Sequence, residues 1–161
     1  MGSQSLLAAF GLHAPLQAVR GYHVELPGVP AYLDAPVVYT REHLLVTPMA
    51  GRLRASSYME FEDAAAPGDP RKPLRLRQKL RALGYACYPE GPSWVGARPV
   101  LPDYLPAIGR APGPKVYYAV GHQHVGLTIA PITAELVADL VAGRSPRLAV
   151  GAFDLLRFGR P

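Results

Sequence analysis

The last third of the chain contains the pattern that most restricts its fold: a short apolar strand, a glycine-flanked loop and a long helix. Residues 116–120 (VYYAV) are too few for a helix and predict a strand buried on both faces. Residues 121–126 (GHQHVG) form the loop, and apolar residues then recur at helical spacing over residues 127–142. Pro131 falls in the first turns, where a missing N–H costs least, and Gly143 is placed to end the helix. This order is typical of α/β proteins in which the N-terminus of a helix meets a ligand.

The first part of the chain predicts an antiparallel sheet. Several segments are rich in β-branched and aromatic residues and alternate as half-buried strands do. A glycine turn at residues 47–52 separates the last two of these segments and indicates a hairpin. The four strand segments are residues 19–26, 36–40, 43–47 and 52–61. Residues 88–92 and 98–106 are so dense in proline and glycine that we expect neither a long helix nor a central strand there.

A concentrated basic stretch at residues 71–81 (RKPLRLRQKLR) permits two interpretations. Such a run could attract phosphates, as in a nucleic-acid-binding module. Its leucines also recur at roughly helical spacing, which predicts an amphipathic surface helix with a solvated basic face. Asp69 and Pro70 are suited to start this helix, and Gly84 to end it.

Composition excludes several classes of protein. The 161 residues are long enough for one domain with a real core, and they contain a single cysteine, Cys87. One cysteine excludes an internal disulfide framework and any multi-cysteine zinc site. No apolar run approaches the roughly 18 residues that cross a bilayer, and residues 1–10 lack the basic flank of a secretory signal. We therefore expect a cytoplasmic protein.

The loop and its flanks supply candidate ligand-binding residues. GHQHVGLT nearly spells a phosphate-binding P-loop, but Leu127 stands at the lysine position, which argues against an NTPase. The helix N-terminus still favours a partial negative charge, such as a flavin carbonyl or a phosphate. His122 and His124 are too few for a metal, so we predict no metal site. Arg98 could grip a carboxylate bidentately, or it could be an ordinary surface arginine.

Four stretches resemble the flavin-dependent amino-acid oxidoreductases, the family of D-amino-acid oxidases, glycine oxidases and bacterial D-amino-acid dehydrogenases. They match its opening substrate-domain strand, a "TPM…LR…EF" hairpin, a "W-x-G-x-R-P-x-x-P-D-x-x-P-x-I-G" motif and a flavin-contacting loop. In this chain they are GYHV (residues 21–24), residues 47–61, WVGARPVLPDYLPAIG (residues 94–109) and GHQHVGLTIAP (residues 121–131).

The resemblance implies roles for individual residues. Arg98 stands where the family's arginine binds the substrate carboxylate, and His124 where a backbone carbonyl accepts the substrate amine. In D-amino-acid oxidases, glycines occupy the places of Gln123 and His124. Because the side chains here are larger, the resemblance does not define the size or identity of the substrate. His23, Tyr39 and His43 are further pocket candidates, although ordinary sheet positions explain them equally well. No side chain is assigned a catalytic role. The expected cofactor-binding residues are Gly121, His122, Val125, Gly126, Leu127 and Thr128.

The resemblance also implies an α+β fold. A substrate domain with an antiparallel or mixed sheet and flanking helices is expected at residues 16–106. Residues 107–161 would supply the last strand and helix of a Rossmann-type FAD domain, and residues 1–15 a remnant of its preceding segment. The family's G-x-G-x-x-G fingerprint for the adenosine part of FAD is not present in these residues. We therefore expect FAD binding to need an N-terminal half from elsewhere, and the isolated chain to be inactive.

Three functions remain open from the sequence. The first is the substrate- and flavin-contacting portion of an enzyme that oxidises a D-amino or cyclic imino acid to an imine by hydride transfer to FAD. Its partners would be the amino-acid substrate and an N-terminal FAD-domain subunit or a second copy. The alternatives are a non-catalytic dimerising fragment of such an enzyme and a basic nucleic-acid-binding module. We rank the last lowest because few aromatic residues accompany its arginines.

Overall fold

The structure is a computed structural model that describes residues 2–28, 33–87, 90–113 and 115–159. The chain divides into two compact units. The first unit combines Met1–Ala18 with Arg98–Pro161, and the second is Val19–Ala97. The two ends of the chain therefore belong to the same unit.

Helices and strands are mixed along the chain. The strands are β1 (Gln17–Pro27), β2 (Val37–Tyr39), β3 (Leu44–Met49), β4 (Arg52–Phe61), β5 (Ser93–Val100), β6 (Ala107–Arg110) and β7 (Tyr117–Val120). The helices are α1 (Ser3–Ala8), α2 (Arg71–Ala82) and α3 (Gly126–Val141), followed by short 3₁₀ turns at Val150–Phe153 and Leu155–Phe158. This mixture of helices and strands confirms the predicted α+β class.

A five-stranded sheet in the order β2-β3-β4-β1-β5 contains the strands of the second unit. The β3–β4 hairpin is confirmed, with Met49 opposite Arg52 across its turn. Strands β1 and β4 also pair antiparallel, with an irregularity between Arg20 and Tyr22. Strand β5, which the sequence did not predict, contains Pro99 and lies at the edge of the sheet, where a proline is tolerated because it cannot donate to a central ladder.

Helix α2 covers one face of this sheet with its leucine side. Leu76 and Leu80 are fully buried in the core of the second unit. The helix begins one residue later than a cap at Asp69 would predict, since Pro70 occupies the N-cap. Asp69 nevertheless accepts the backbone N–H of Arg71 at 2.9 Å. The core residues of the second unit come from the sheet, from α2 and from the segment after α2, and they are Tyr22, Val24, Leu26, Leu44, Val46, Leu53, Ala55, Leu76, Leu80, Tyr85 and Cys87.

Much of the basic charge of α2 is paired within the unit. Lys72 contacts Glu60, and Arg71 and Arg81 pair with Asp69 and Glu90. Arg77 is only 5% exposed and donates to the carbonyl of Gly91. The amphipathic part of the prediction is confirmed, and the basic face is partly ion-paired, although the Arg71 and Arg81 side chains remain 75% and 54% exposed.

The first unit has a smaller core, to which α1, β6 and β7 contribute, and α3 packs against β6 and β7. Strands β6 and β7 pair antiparallel, and Leu101, Ala107 and Tyr118 are buried beside them. The prediction that residues 116–120 are buried on both faces is wrong for the described residues, because Tyr118 alone in β7 is buried. Helix α3 ends close to the predicted place: Ala142 is its C-cap, and Gly143 follows at φ +67°.

Candidate functional site

The loop after β7 has a conformation that only certain residues permit. Gly121 has φ +72°, and a Cβ there would lie 2.6 Å from Cδ1 of Leu101. A side chain at position 121 would therefore clash with the core of the first unit. The next residues form a turn in which the N–H of Val125 donates to the carbonyl of His122 at 3.1 Å. Gln123, within this turn, also has a positive φ of +58°.

The N-terminus of α3 presents unpaired backbone donors. Its N-cap residue, Val125, makes no side-chain capping bond. The N–H of Ile129 donates to the carbonyl of Val125 at 3.0 Å, so the three preceding N–H groups have no partner within the helix. They belong to Gly126, Leu127 and Thr128. The Leu127 side chain is 93% exposed. This end of the helix can stabilise a carbonyl or another partial negative charge.

His122 joins the loop to the helix. One of its ring nitrogens, Nε2, lies 3.1 Å from Oγ1 of Thr133, a buried residue about two turns into α3. Burial lowers the pKa of His122 below its ordinary value of 6.5. The imidazole is therefore mostly neutral at pH 7.

Two concave regions meet at His122. A pocket of about 230 Å³ is lined by Ser3, Leu16, Pro99, Ala119, Val120, Gly121, His122 and Gln123. A wider groove of about 430 Å³ runs along α3 and is lined by Ala119, His122, Gly126, Ala130, Thr133, Ala134 and Val137. The smaller pocket is lined both by Pro99, the residue after Arg98, and by residues of the predicted cofactor loop. The second is mainly apolar and begins at the helix N-terminus.

Arg98 is half-buried on β5, and no hydrogen bond or ion pair holds its guanidinium within the part of the chain described. That leaves its donors available for a carboxylate. Pro99, the next residue, lines the smaller pocket. His124 and Val125 are exposed on the loop, and neither lines the pocket or the groove.

The two loop histidines have different surroundings. His122 is half-buried and bonded to Thr133, whereas His124 is exposed. Among residues 2–28, 33–87, 90–113 and 115–159, no group of three potential metal-ligating side chains is close enough to hold an ion. No helix within those same ranges has the length and apolar character to span a bilayer.

From the sequence, Gln123 is named only because D-amino-acid oxidases have a glycine in its place, and Thr133 is not named. Both amide atoms of Gln123 are buried and have no hydrogen-bond partner among the described residues. A glutamine between two histidines gives no sequence signal of such burial. A threonine on the otherwise apolar inner side of α3 was the available signal for Thr133.

The second unit contains His23, Tyr39 and His43, the further pocket candidates, and an aromatic stack. Trp94 stacks on His23 with 3.8 Å between ring centroids, and Nδ1 of His23 lies 2.7 Å from Oγ of Ser56. Tyr39 instead bonds the hydroxyl of Tyr85 at 2.7 Å on the core side of the sheet. His43 lies outside the strands, between β2 and β3, at φ +50°.

Comparison with known proteins gives the context of these features. The chain is 31% identical to a D-amino-acid oxidase of Bradyrhizobium diazoefficiens over 97% of its own length and 38% of the relative's. It is 29% identical to a D-amino acid dehydrogenase of Cereibacter sphaeroides, covering 99% of this chain and 37% of that one. Glycine oxidase from Geobacillus kaustophilus has a similar structure, with a TM-score of 0.79, 26% identity and coverage of 93% of this chain and 41% of that one.

The chain thus spans about two fifths of the length of these relatives. A model of the FAD-dependent oxidoreductases that include D-amino-acid oxidase matches residues 1–140. This match covers most of the chain and includes Arg98 and the loop from Gly121 to Thr128. The chain belongs to the DAO family of FAD-dependent oxidoreductases.

Proposed function

We propose that this chain is the substrate- and flavin-contacting portion of an FAD-dependent enzyme that oxidises an amino acid or a cyclic imino acid to the corresponding imine. The relatives named above as D-amino-acid oxidase and D-amino acid dehydrogenase support this reaction class. Arg98 would bind the substrate carboxylate, and the loop with the start of α3 would bind the flavin ring.

The observation that carries the proposal is the uncapped N-terminus of α3. Three backbone N–H groups at Gly126, Leu127 and Thr128 precede the first bond within the helix. An apolar groove of about 430 Å³ begins at Gly126. Directed N–H donors beside an apolar surface suit a planar ring that has a carbonyl on its edge.

These residues fit a flavin better than a phosphate. Leu127 stands where a P-loop would place its lysine, so no side-chain cation meets a phosphate there. Small residues along the groove, Gly126, Ala130 and Ala134, leave room for a flat ring. When bound, FAD would accept the hydride that leaves the α-carbon of the substrate. The amides would stabilise negative charge at the pyrimidine edge, as donors do in an oxyanion hole.

Substrate orientation would depend on Arg98. Its unpaired guanidinium can make two parallel hydrogen bonds to one carboxylate. The carbonyl of His124 would accept from the substrate amine. Such orientation removes much of the entropic barrier to reaction without any acid or base from this chain.

Tight FAD binding would need the dinucleotide-binding segment, which the relatives' extra length could supply. We expect the isolated chain not to bind FAD with micromolar affinity when binding is followed by flavin absorbance. A tightly bound yellow cofactor would contradict the need for a second segment.

The flavin contact can be tested with the ¹⁵N-labelled chain. Addition of millimolar FMN should shift the backbone amide resonances of Gly126, Leu127 and Thr128 more than those in the second half of α3. Inorganic phosphate at the same concentration is the matched control, because it tests anion binding alone. Equal shifts with phosphate, or no FMN shift at these amides, would contradict the flavin contact.

The carboxylate contact needs its own experiment. D-Alanine or D-proline should shift the Nε–H resonance of Arg98, and Arg98→Lys should weaken that binding because lysine cannot form a bidentate pair. Arg75→Lys is the control, since Arg75 is exposed on α2. An equal loss in both variants would show that general charge, and not Arg98, binds the carboxylate.

A non-catalytic dimerising fragment is the second candidate function. Leu127 and Val141 of α3 are 93% and 57% exposed, so this helix has apolar surface available for a partner. Sedimentation that shows a stable dimer, together with no amide shifts from FMN, would favour this function over the first.

A further inference from the structure

His122 occupies an unusual position in the loop because both its main chain and its side chain fix the start of α3. Its carbonyl accepts the N–H of Val125 and so closes the turn before the helix. Its Nε2 lies 3.1 Å from Oγ1 of Thr133, inside the helix. A single residue thus connects the loop to two points that are eight residues apart.

The first helical residue packs directly on His122. A Cβ added at Gly126 would lie 3.3 Å from Cβ of His122, so only a glycine fits there without a shift. Displacement of His122 would therefore move the peptide groups that carry the uncapped amides. The ring also lines both the 230 Å³ pocket and the 430 Å³ groove.

The remainder of the loop offers little to hold this geometry. Gln123 has an unfavourable left-handed φ of +58°, and its buried amide has no partner among the described residues. His124 and Val125 are exposed. A strained turn persists only where surrounding contacts determine it, and here those contacts are the ones of Gly121 and His122.

We propose that His122 is a positioning residue that, through its bond to Thr133, holds the uncapped amides of Gly126 to Thr128 in the orientation that receives the flavin carbonyl. The contact between His122 and Thr133 is called the clamp below. Its effect on flavin binding rests on the proposed function, whereas the clamp itself does not. Because burial disfavours the charged imidazole, the attraction for a carbonyl comes from the backbone amides.

Four single variants of the full chain, and the double variant of His122→Asn with Thr133→Val, test the clamp. His122→Asn and Thr133→Val remove the bond, since asparagine reaches only the place of Nδ1 and valine lacks the hydroxyl. His122→Gln and Thr133→Ser restore a polar atom at each end. Hydrogen exchange at the amides of Val125 and Ile129 is the first measurement, with those of Leu136 and Leu140 as an internal reference.

We expect His122→Asn and Thr133→Val each to speed exchange at Val125 and Ile129 by roughly two- to tenfold, the effect of one lost hydrogen bond. The reference amides should be unchanged, and the double variant should be no faster than either single one. Gln at 122 and Ser at 133 should recover slow exchange. FMN-induced shifts at Gly126 to Thr128 should shrink and recover in parallel.

Three results would overturn the proposal. Unchanged exchange in folded His122→Asn and Thr133→Val, additive effects in the double variant, or no recovery with His122→Gln and Thr133→Ser would each do so. If His122→Asn does not fold, the Thr133 pair decides alone. Absence of FMN-induced shifts in the unmodified chain would contradict the flavin contact. The hydrogen-exchange rates at Val125 and Ile129 would still test the clamp in that case.

Discussion

Trp94 on β5 stacks against His23 on β1, with 3.8 Å between their ring centroids and 13° between their planes. The contact joins the edge strand to its neighbour on the sheet face opposite α2. A Cβ at Gly96 would lie 2.8 Å from the indole, so the glycine two residues along β5 is what lets the ring lie over the strand. Sequence motif and packing are therefore linked in the W-x-G part of the family pattern.

Removal of this stack should loosen the edge strand. We expect His23→Leu to lower the free energy of unfolding by about 1 kcal/mol, the worth of an aromatic pair. Trp94 is the chain's single tryptophan, so its emission should shift to longer wavelength as the indole gains water. His13→Leu, at an exposed position, is the control. Unchanged emission with unchanged stability would contradict a structural role for the stack.

The unpaired amide of Gln123 should destabilise the free chain. Replacement by leucine removes two buried polar atoms that have no partner among the described residues, so Gln123→Leu should raise stability by about 1–3 kcal/mol. In a thermal melt this corresponds to an increase in Tm of roughly 2–4 °C for each kcal/mol. Gln78→Leu, exposed on α2, should change little. A lower Tm for Gln123→Leu than for Gln78→Leu would show that the amide is satisfied in solution.

Tyr118 should make the chain sensitive to alkali. Its hydroxyl donates to Asp154 and accepts the N–H of Leu155, both at 3.1 Å. Burial is the main cause that raises the pKa of Tyr118 from 10.0 to about 12. The unfolded tyrosine therefore ionises first, and stability should be lost as pH rises from about 10 towards 12.

Tyr118→Phe separates the contribution of the hydroxyl's hydrogen bonds to stability from the contribution of its ionisation to the alkaline decline. Loss of the two hydrogen bonds should cost about 1–3 kcal/mol at neutral pH, and the alkaline decline should become smaller. Urea unfolding between pH 8 and pH 11 measures both, with Tyr117→Phe as the control one residue earlier in β7. An unchanged alkaline decline would assign it to another group.

Asp69 should contribute stability that acid removes. The bonds from Arg71 are the main cause that lowers the pKa of Asp69 from 3.8 to about 2. The unfolded carboxylate is protonated first, so this stability is present above pH 3.8 and is lost as pH falls towards 2. Asp69→Asn should therefore be less stable than the unmodified chain at pH 6 and equal to it near pH 2. Asp34→Asn, at an exposed position, is the reference, and a difference that persists at pH 2 would contradict the assignment.

Local patterns predicted the elements that have strong periodicity or turn signals. The β3–β4 hairpin, helix α2 and helix α3 follow from alternation, leucine spacing and the glycine at 143. Strand β5 was missed because its proline and glycines are typical of loops, and it is tolerated at the sheet edge. Helix α1 has only six residues and no side-chain cap, too little for a sequence signal.

The candidate site was predictable only where family motifs name residues. The motifs supplied Arg98 and the loop from Gly121 to Thr128, whereas the bond from His122 to Thr133 depends on how the loop folds back on α3. Similarly, the charge run at residues 71–81 could not reveal that Glu60 and Glu90 lie beside it. Contacts between distant residues have no local signature.

Gly121 has a consequence for redesign of this loop. A side chain at position 121 would clash with Leu101. The space available to the loop at this point is therefore limited by a buried core residue and not by its neighbours in sequence. A smaller residue at 101 would create space but would leave the backbone at φ +72°, where β-branched residues are poorly tolerated. Libraries that aim to change ligand preference should therefore hold positions 101 and 121 constant and vary 123 and 124.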